Sequence, residues 1–237
     1  MFVEGGDMLK KVFIGVGHGG TDSGAVGHLV EKEVNLVEAL ACKDFLKMHG
    51  VEVLMSRAVD ENDPVTDEIN ECNAFEPDLA IDVLNNSGCG DGFETFCYCK
   101  GGLSKDLAEN IDDEVKKIGQ NLRGCKTRIS SNSDYNAFIR ETICHAVICV
   151  DNKIDIKIAD TTEKQKIFGV AYAKGILRTL GISIKENISQ SESDKKAKYY
   201  VQVGAYSSKE NAEKQLQKAK DAGFADAFMR VVAQTNS

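Results

Sequence analysis

The sequence predicts an α/β fold, with a mostly parallel sheet, helices on both faces, and a small C-terminal βαβ module. Three observations carry this. Short β-branched apolar runs alternate with longer amphipathic stretches through the first 180 or so residues. The first run opens into a Gly-rich turn, Gly17-His18-Gly19-Gly20. A polar, charged stretch at 185–198 (KENISQSESDKKAK) separates this pattern from a shorter strand–helix–strand pattern. The boundaries read as a main domain over 8–183, a linker over 184–198 and a module over 199–237.

Residues 10–16 (KKVFIGV) form a short buried strand. A helix follows over about 34–48, with Leu36, Leu40 and Phe45 on one face and Gly50 closing it. Strands are expected at 51–55, 78–84 and 93–99, the last reached through a turn at 88–92. Residues 103–118 read as an amphipathic helix and 146–150 as another strand. A long helix then runs to Gly181, with Asp160 as its N-cap and Glu163 three residues on. In the module, 199–206 reads as a strand and 227–232 as another. Between them lies a helix after the capping box Ser207-Ser208-Lys209-Glu210, with Ala212, Leu216 and Ala219 inward.

The net charge of −8 argues against nucleic acid as the main partner, because phosphate binding needs a basic patch. No stretch approaches transmembrane length, and residues 1–11 contain no apolar signal core. The 8 cysteines include no C-x-x-C pair; Cys97 and Cys99 alternate along a strand and Cys149 lies in an apolar run. They read as reduced, mostly buried structural thiols. Glu4-Gly5-Gly6-Asp7 precedes Met8 and could be a translated ribosome-binding sequence, making Met8 the expected start.

Metal-assisted amide hydrolysis needs three protein ligands, an open position for water, and a carboxylate to take the water's proton. His18 and Leu84 stand at the carboxyl ends of predicted strands, where α/β sheets place their chemistry, and Glu31 lies between elements at the same end of the sheet. Each has a plainer reading, His18 as a loop hydrogen-bonder and Glu31 as a charge complementing a helix dipole.

Residues 13–27 (FIGVGHGGTDSGAVG), then Glu31-Lys32-Glu33-Val34-Asn35-Leu36, resemble the opening of the zinc-dependent N-acetylmuramoyl-L-alanine amidases. The resemblance continues through 51–57 (VEVLMSR), 78–94, 138–142 (FIRET) and 160–180, and covers nearly all of 10–182. It implies cleavage of the amide between N-acetylmuramic acid and L-alanine in peptidoglycan. It also implies zinc as cofactor, with His18 and Glu31 as ligands. The family's second ligand histidine falls on Leu84, in Asp82-Val83-Leu84-Asn85-Asn86, and leucine offers a metal no lone pair. The family's catalytic glutamate follows a strand matching 145–149 (HAVIC). Here that strand runs straight into Val150-Asp151-Asn152, and the segment holding the glutamate is missing.

Asp151 is the best substitute base. Asp82 shares a face with Leu84 but lies about 7 Å further back. His145 begins its strand at the wrong end and Glu141 belongs to the scaffold; His28, in the loop between His18 and Glu31, is within reach of the metal position but is expected to face solvent. The expected function is therefore endolysin-like amidase action with impaired activity; the alternative is an inactive pseudo-amidase that only binds peptidoglycan.

The C-terminal stretch from Tyr199 to Tyr206 with the Ala-rich helix resembles the first half of a SPOR peptidoglycan-binding module. Strand alternation puts Tyr200, Gln202, Gly204 and Tyr206 on one face. Gln202 and Tyr206 are the candidate sugar contacts; alternatively this face packs on a second copy, giving a homodimer. Without a signal peptide, the expectation is synthesis in the cytoplasm and action at the bacterial cell wall after release.

Overall fold

The computed structural model describes residues 9–86, 91–98, 101–130, 133–151, 159–185, 206 and 208–222. The chain divides into two units, Met1–Asn187 and Ile188–Ser237.

The first unit is built on a six-stranded sheet. Its strands are β1 (Lys11–Val16), β2 (Glu52–Met55), β3 (Leu79–Asn85), β4 (Phe93–Cys97), β5 (Leu122–Lys126) and β8 (His145–Asp151). A two-stranded hairpin, β6 (Ile129–Ser130) and β7 (Ser133–Asp134), stands apart. The sheet order is β2-β1-β3-β8-β4-β5. All neighbours are parallel except β4 and β8, which pair antiparallel. The carboxyl ends of β1, β3 and β8 therefore meet along one edge.

Three helices cover one face: α1 (Glu31–Met48), α3 (Leu103–Lys117) and α5 (Thr162–Thr179). Ala39, Cys42 and Leu46 of α1, Leu107 and Ile111 of α3, and Phe168, Tyr172 and Ile176 of α5 pack on Val12, Ile81, Val83 and Val147. Gly169 permits α5 to lie against α1, since a Cβ there would come within 2.1 Å of the Glu38 carbonyl. The other face carries α2 (Val65–Phe75) and α4 (Ala137–Glu141), with Ile69, Cys72 and Phe138 over Phe13, Ala80 and Ile148.

Several boundaries differ from the sequence reading. Helix α1 begins at Glu31, not near 34, so Glu31 sits in its first turn. Helix α2 and strand β5 have no counterpart in the sequence reading. The inward face of α2 includes Glu68 beside Ile69 and Cys72, so its apolar stripe is broken. Thr161, not Asp160, caps α5: its hydroxyl accepts the Lys164 N–H at 3.3 Å, while Asp160 pairs with the Lys164 ammonium at 2.7 Å. The six described cysteines form no disulfide with one another.

In the second unit the described residues are Tyr206 and the helix α6 (Lys209–Asp221) with its flanks. Ser208 is the N-cap, without a side-chain hydrogen bond, and Lys209–Glu213 and Lys214–Glu210 ion pairs run along the helix. The two expected strands, and Gln202 with them, lie outside the described residues. Tyr206 is exposed.

Candidate functional site: a histidine and glutamate pair at the carboxyl edge of the sheet

Strand β1 ends at Val16, and the chain turns sharply through His18, whose φ of +63° is uncommon for a residue with a side chain. Arg57 fixes this turn. Its guanidinium donates to the carbonyls of Val16 (3.0 Å), Lys32 (2.8 Å), Gly17 (3.3 Å) and Val59 (3.1 Å). Lys32 adds bonds to the Gly20 carbonyl and the Asp60 carboxylate, at 2.9 and 2.7 Å.

The imidazole of His18 lies between two carboxylates. Nδ1 is 2.9 Å from Asp22 Oδ2 and Nε2 is 3.3 Å from Glu31 Oε1. Glu31 is buried and held by two backbone donors, Asn85 N–H to Oε1 at 2.9 Å and Ala25 N–H to Oε2 at 2.7 Å. The Glu31 hydrogen bond raises the His18 pKa to about 9; burial opposes the shift and Asp22 adds to it. The ring is therefore an imidazolium at neutral pH, and a metal would have to displace its proton.

A buried polar network lies behind the pair. Asn85 donates to Asn35 (2.8 Å) and Glu38 (3.3 Å), Tyr172 donates to Glu38 (3.2 Å), and Asn35 donates to the Gly17 carbonyl (2.8 Å). The sequence reading assigned no role to Asn35, Glu38, Asn85, Arg57 or Asp22. A signal existed for some of them: Glu31, Asn35 and Glu38 recur at helical spacing, placing polar groups on one side of α1.

Leu84 lies on the opposite face of β3 from Asn85, packed with Val150. Its Cδ2 lies 2.1 Å from where a Cβ on Gly17 would stand, so the leucine lies over the backbone immediately before His18. Asp82 is further back on the same face, beside Glu68 of α2. Both are buried, and Asp82 Oδ1 and Glu68 Oε1 have no hydrogen-bond partner. Burial pushes Asp82 up to about 7; burial and the Asp82 charge push Glu68 well above the usual carboxylate range.

Asp151 is the last residue of β8. It pairs in register with Asn85, on the face opposite Leu84, fully buried, and its Oδ1 accepts Gln120 Nε2 at 2.6 Å. His145 is opposite Leu79 at the amino end of β8, with Nδ1 3.2 Å from Ser104 Oγ. His28 is exposed, and Glu141 pairs with Arg140 at 2.6 Å.

The fit of zinc can be judged from these donors. In a tetrahedral site with bonds of about 2.1 Å, adjacent ligand atoms stand roughly 3.4 Å apart. The 3.3 Å between His18 Nε2 and Glu31 Oε1 suits two corners of such a site. Among the described residues no three His, Cys, Asp or Glu side chains come together as a metal site. Among the described residues, the pair supplies two of the three donors that a catalytic zinc site takes from its protein.

The class defined by this scaffold is an α/β sheet protein with a histidine–carboxylate pair at the carboxyl edge. The family model described as N-acetylmuramoyl-L-alanine amidase matches residues 12–178, and the SPOR domain model matches 195–237. The chain belongs to the N-acetylmuramoyl-L-alanine amidase family. It is 31% identical to the N-acetylmuramoyl-L-alanine amidase CwlM of Bacillus licheniformis, over 91% of this chain and 83% of that one. It is 28% identical to the endolysin of Bacillus phage SPP1, over 80% of this chain and 73% of that one. Among solved structures, Cwp6 from Clostridium difficile superposes with a TM-score of 0.69 at 33% identity, over 73% of this chain and 29% of that longer one. The catalytic domain of CwlV from Bacillus (Paenibacillus) polymyxa gives 0.65 at 25% identity, over 74% of this chain and 100% of that one.

Proposed function

We propose that this protein is a wall-directed amidase homologue that engages peptidoglycan and cleaves the bond between N-acetylmuramic acid and L-alanine poorly. One observation carries the reading. The strand end that would supply the third metal donor presents Leu84, packed over Gly17 next to the His18–Glu31 pair. His18 and Glu31 are the residues that would hold a zinc ion, and with two donors they hold it weakly.

The proton-accepting carboxylate is lost as well. Asp151 stands nearest to its place in sequence, but it is buried and bound to Gln120. Loss of a general base alone costs about 10²- to 10⁴-fold. A missing metal ligand costs more than the 10- to 100-fold typical of residues behind the ligands. Together these favour the alternative limit, a pseudo-amidase that binds peptidoglycan without cleaving it.

The SPOR match over 195–237 supports wall binding, with Gln202 and Tyr206 as candidate sugar contacts. Pairing of two C-terminal modules in a homodimer belongs to the same reading; sedimentation of the full chain as a monomer would exclude it. The protein is made in the cytoplasm and acts at the wall after release. Among the described residues, no helix is long and apolar enough to cross a membrane.

The test is to incubate the full chain with purified peptidoglycan, supplied with zinc, and follow two readouts. Co-sedimentation measures binding, and newly exposed L-alanine amines measure cleavage. The expected result is binding with amine release at or near background. Release at the rate of an active family member would overturn the proposal.

A further inference from the structure

We propose that Cys97 and Cys125 form a disulfide-forming pair, a modification site that ties the edge strand β5 to β4 under oxidising conditions. The two sulfurs are 3.2 Å apart. Thr95 pairs in register with Cys125 across the parallel β4–β5 ladder, and Cys97 is two residues further along on the same side as Thr95. The two side chains are thus diagonal neighbours on one face, with the thiols turned towards each other.

Diagonal neighbours stand about 7–8 Å apart at Cα, just beyond the usual disulfide range of about 4.4–6.8 Å, so the backbone of β5 must shift for the bond to close. A disulfide needs its sulfurs at about 2.05 Å, so the present gap must shorten by roughly 1 Å. Among the described strands β5 is at the edge of the sheet, next to β4, and the ladder already shifts register between Phe93 and Glu94. No central strand has to move.

The chemistry is suited to exchange. Cys125 is half-buried, and the hydrogen bond from Cys97 lowers its pKa to about 7, against the opposing effect of burial. A thiolate is the nucleophile in thiol–disulfide exchange. With a low-molecular-weight disulfide as oxidant, the Cys125 thiolate attacks one sulfur, forms a mixed disulfide and expels one small thiolate. Cys97 then loses its proton to solvent, attacks Cys125 Sγ and expels the second small thiolate. Two protein thiols are oxidised by two electrons and one small disulfide is reduced to two thiols. A reducing compartment keeps the pair as thiols and an oxidising one closes it.

A second sulfur pair provides the comparison. Cys72 on α2 and Cys144 before β8 are 3.9 Å apart on the other face of the sheet. The Cys97–Cys125 gap is the narrower of the two.

The experiment equilibrates the folded full chain in oxidised and in reduced glutathione, blocks remaining thiols, and digests with trypsin and chymotrypsin together. Cleavage after Phe96 and Tyr98 separates Cys97 from Cys99. The expected product is residues 97–98 linked to residues 124–126, in the oxidised sample only. The closed loop includes α3, so oxidation should raise the melting temperature by about 5–10 °C, and Cys125→Ser should abolish that rise. Recovery of Cys97 and Cys125 both blocked after oxidation, or a link formed only between Cys72 and Cys144, would overturn the proposal. The peptide mapping uses the native sequence, so it decides the matter even if Cys125→Ser fails to fold.

Discussion

Replacing Asp82 by Asn should change how stability depends on pH. Asp82 and Glu68 are buried side by side against Gly15, each with a carboxyl oxygen lacking a partner. Folding raises the Asp82 pKa from 3.8 to about 7, burial being the main cause. The folded state thus holds a proton that the unfolded chain releases. The stabilisation is complete below the unfolded pKa near 4 and is lost as pH rises through 7. A tenfold change in proton affinity is worth about 1.4 kcal/mol, so the loss is roughly 2–4 kcal/mol between pH 4.5 and 7.5. Asn cannot ionise, and its amide can donate to Glu68 Oε1. The assay is urea unfolding of native protein and Asp82→Asn at both pH values. The variant should gain roughly 2–4 kcal/mol relative to native on moving from pH 4.5 to 7.5. Asp112, pushed up to about 7 by burial, keeps titrating in both proteins and cancels in the difference. Equal pH dependence in the two proteins would refute the reasoning.

Two further outcomes follow from the polar frame of the site. In metal-free protein, Glu31→Gln should lower the His18 pKa from about 9 by roughly one pH unit or more, because it removes the largest cause of the rise; NMR titration of the ring measures this. A value unchanged near 9 would mean that Asp22 alone holds the proton. Arg57→Ala should cost about 3 kcal/mol in urea unfolding, since four carbonyls around the His18 turn each lose a donor, that of Gly17 keeping Asn35; a cost within about 0.5 kcal/mol would show that water replaces it.

The parts of the fold that were legible in sequence are those with strong local pattern. The apolar run of β1, the stripe of α3 and the apolar segments of β3 and β8 each state their element, because one buried face imposes one period. Helix α2 was not legible: its buried side carries Glu68 over Gly15, a contact that depends on β1, far away in sequence. The antiparallel placing of β4 against β8 is likewise a long-range pairing that no local period encodes. At the site, the resemblance pointed to His18, Glu31 and Leu84, and the structure sets the first two 3.3 Å apart with the third packed over Gly17. Asp151 was the instructive case. Its position in sequence puts it at the end of β8, but strand alternation turns its carboxylate into the core beside Gln120.

The central claim is that Leu84 leaves the metal site one donor short. The most direct test is zinc bound per chain after loading and dialysis, measured by elemental analysis for native protein and Leu84→His. The account predicts far less than one zinc per native chain and a clear gain in the variant, whose imidazole would stand beside the His18–Glu31 pair. One tightly held zinc in the native protein would contradict it, and would mean that another group completes the site.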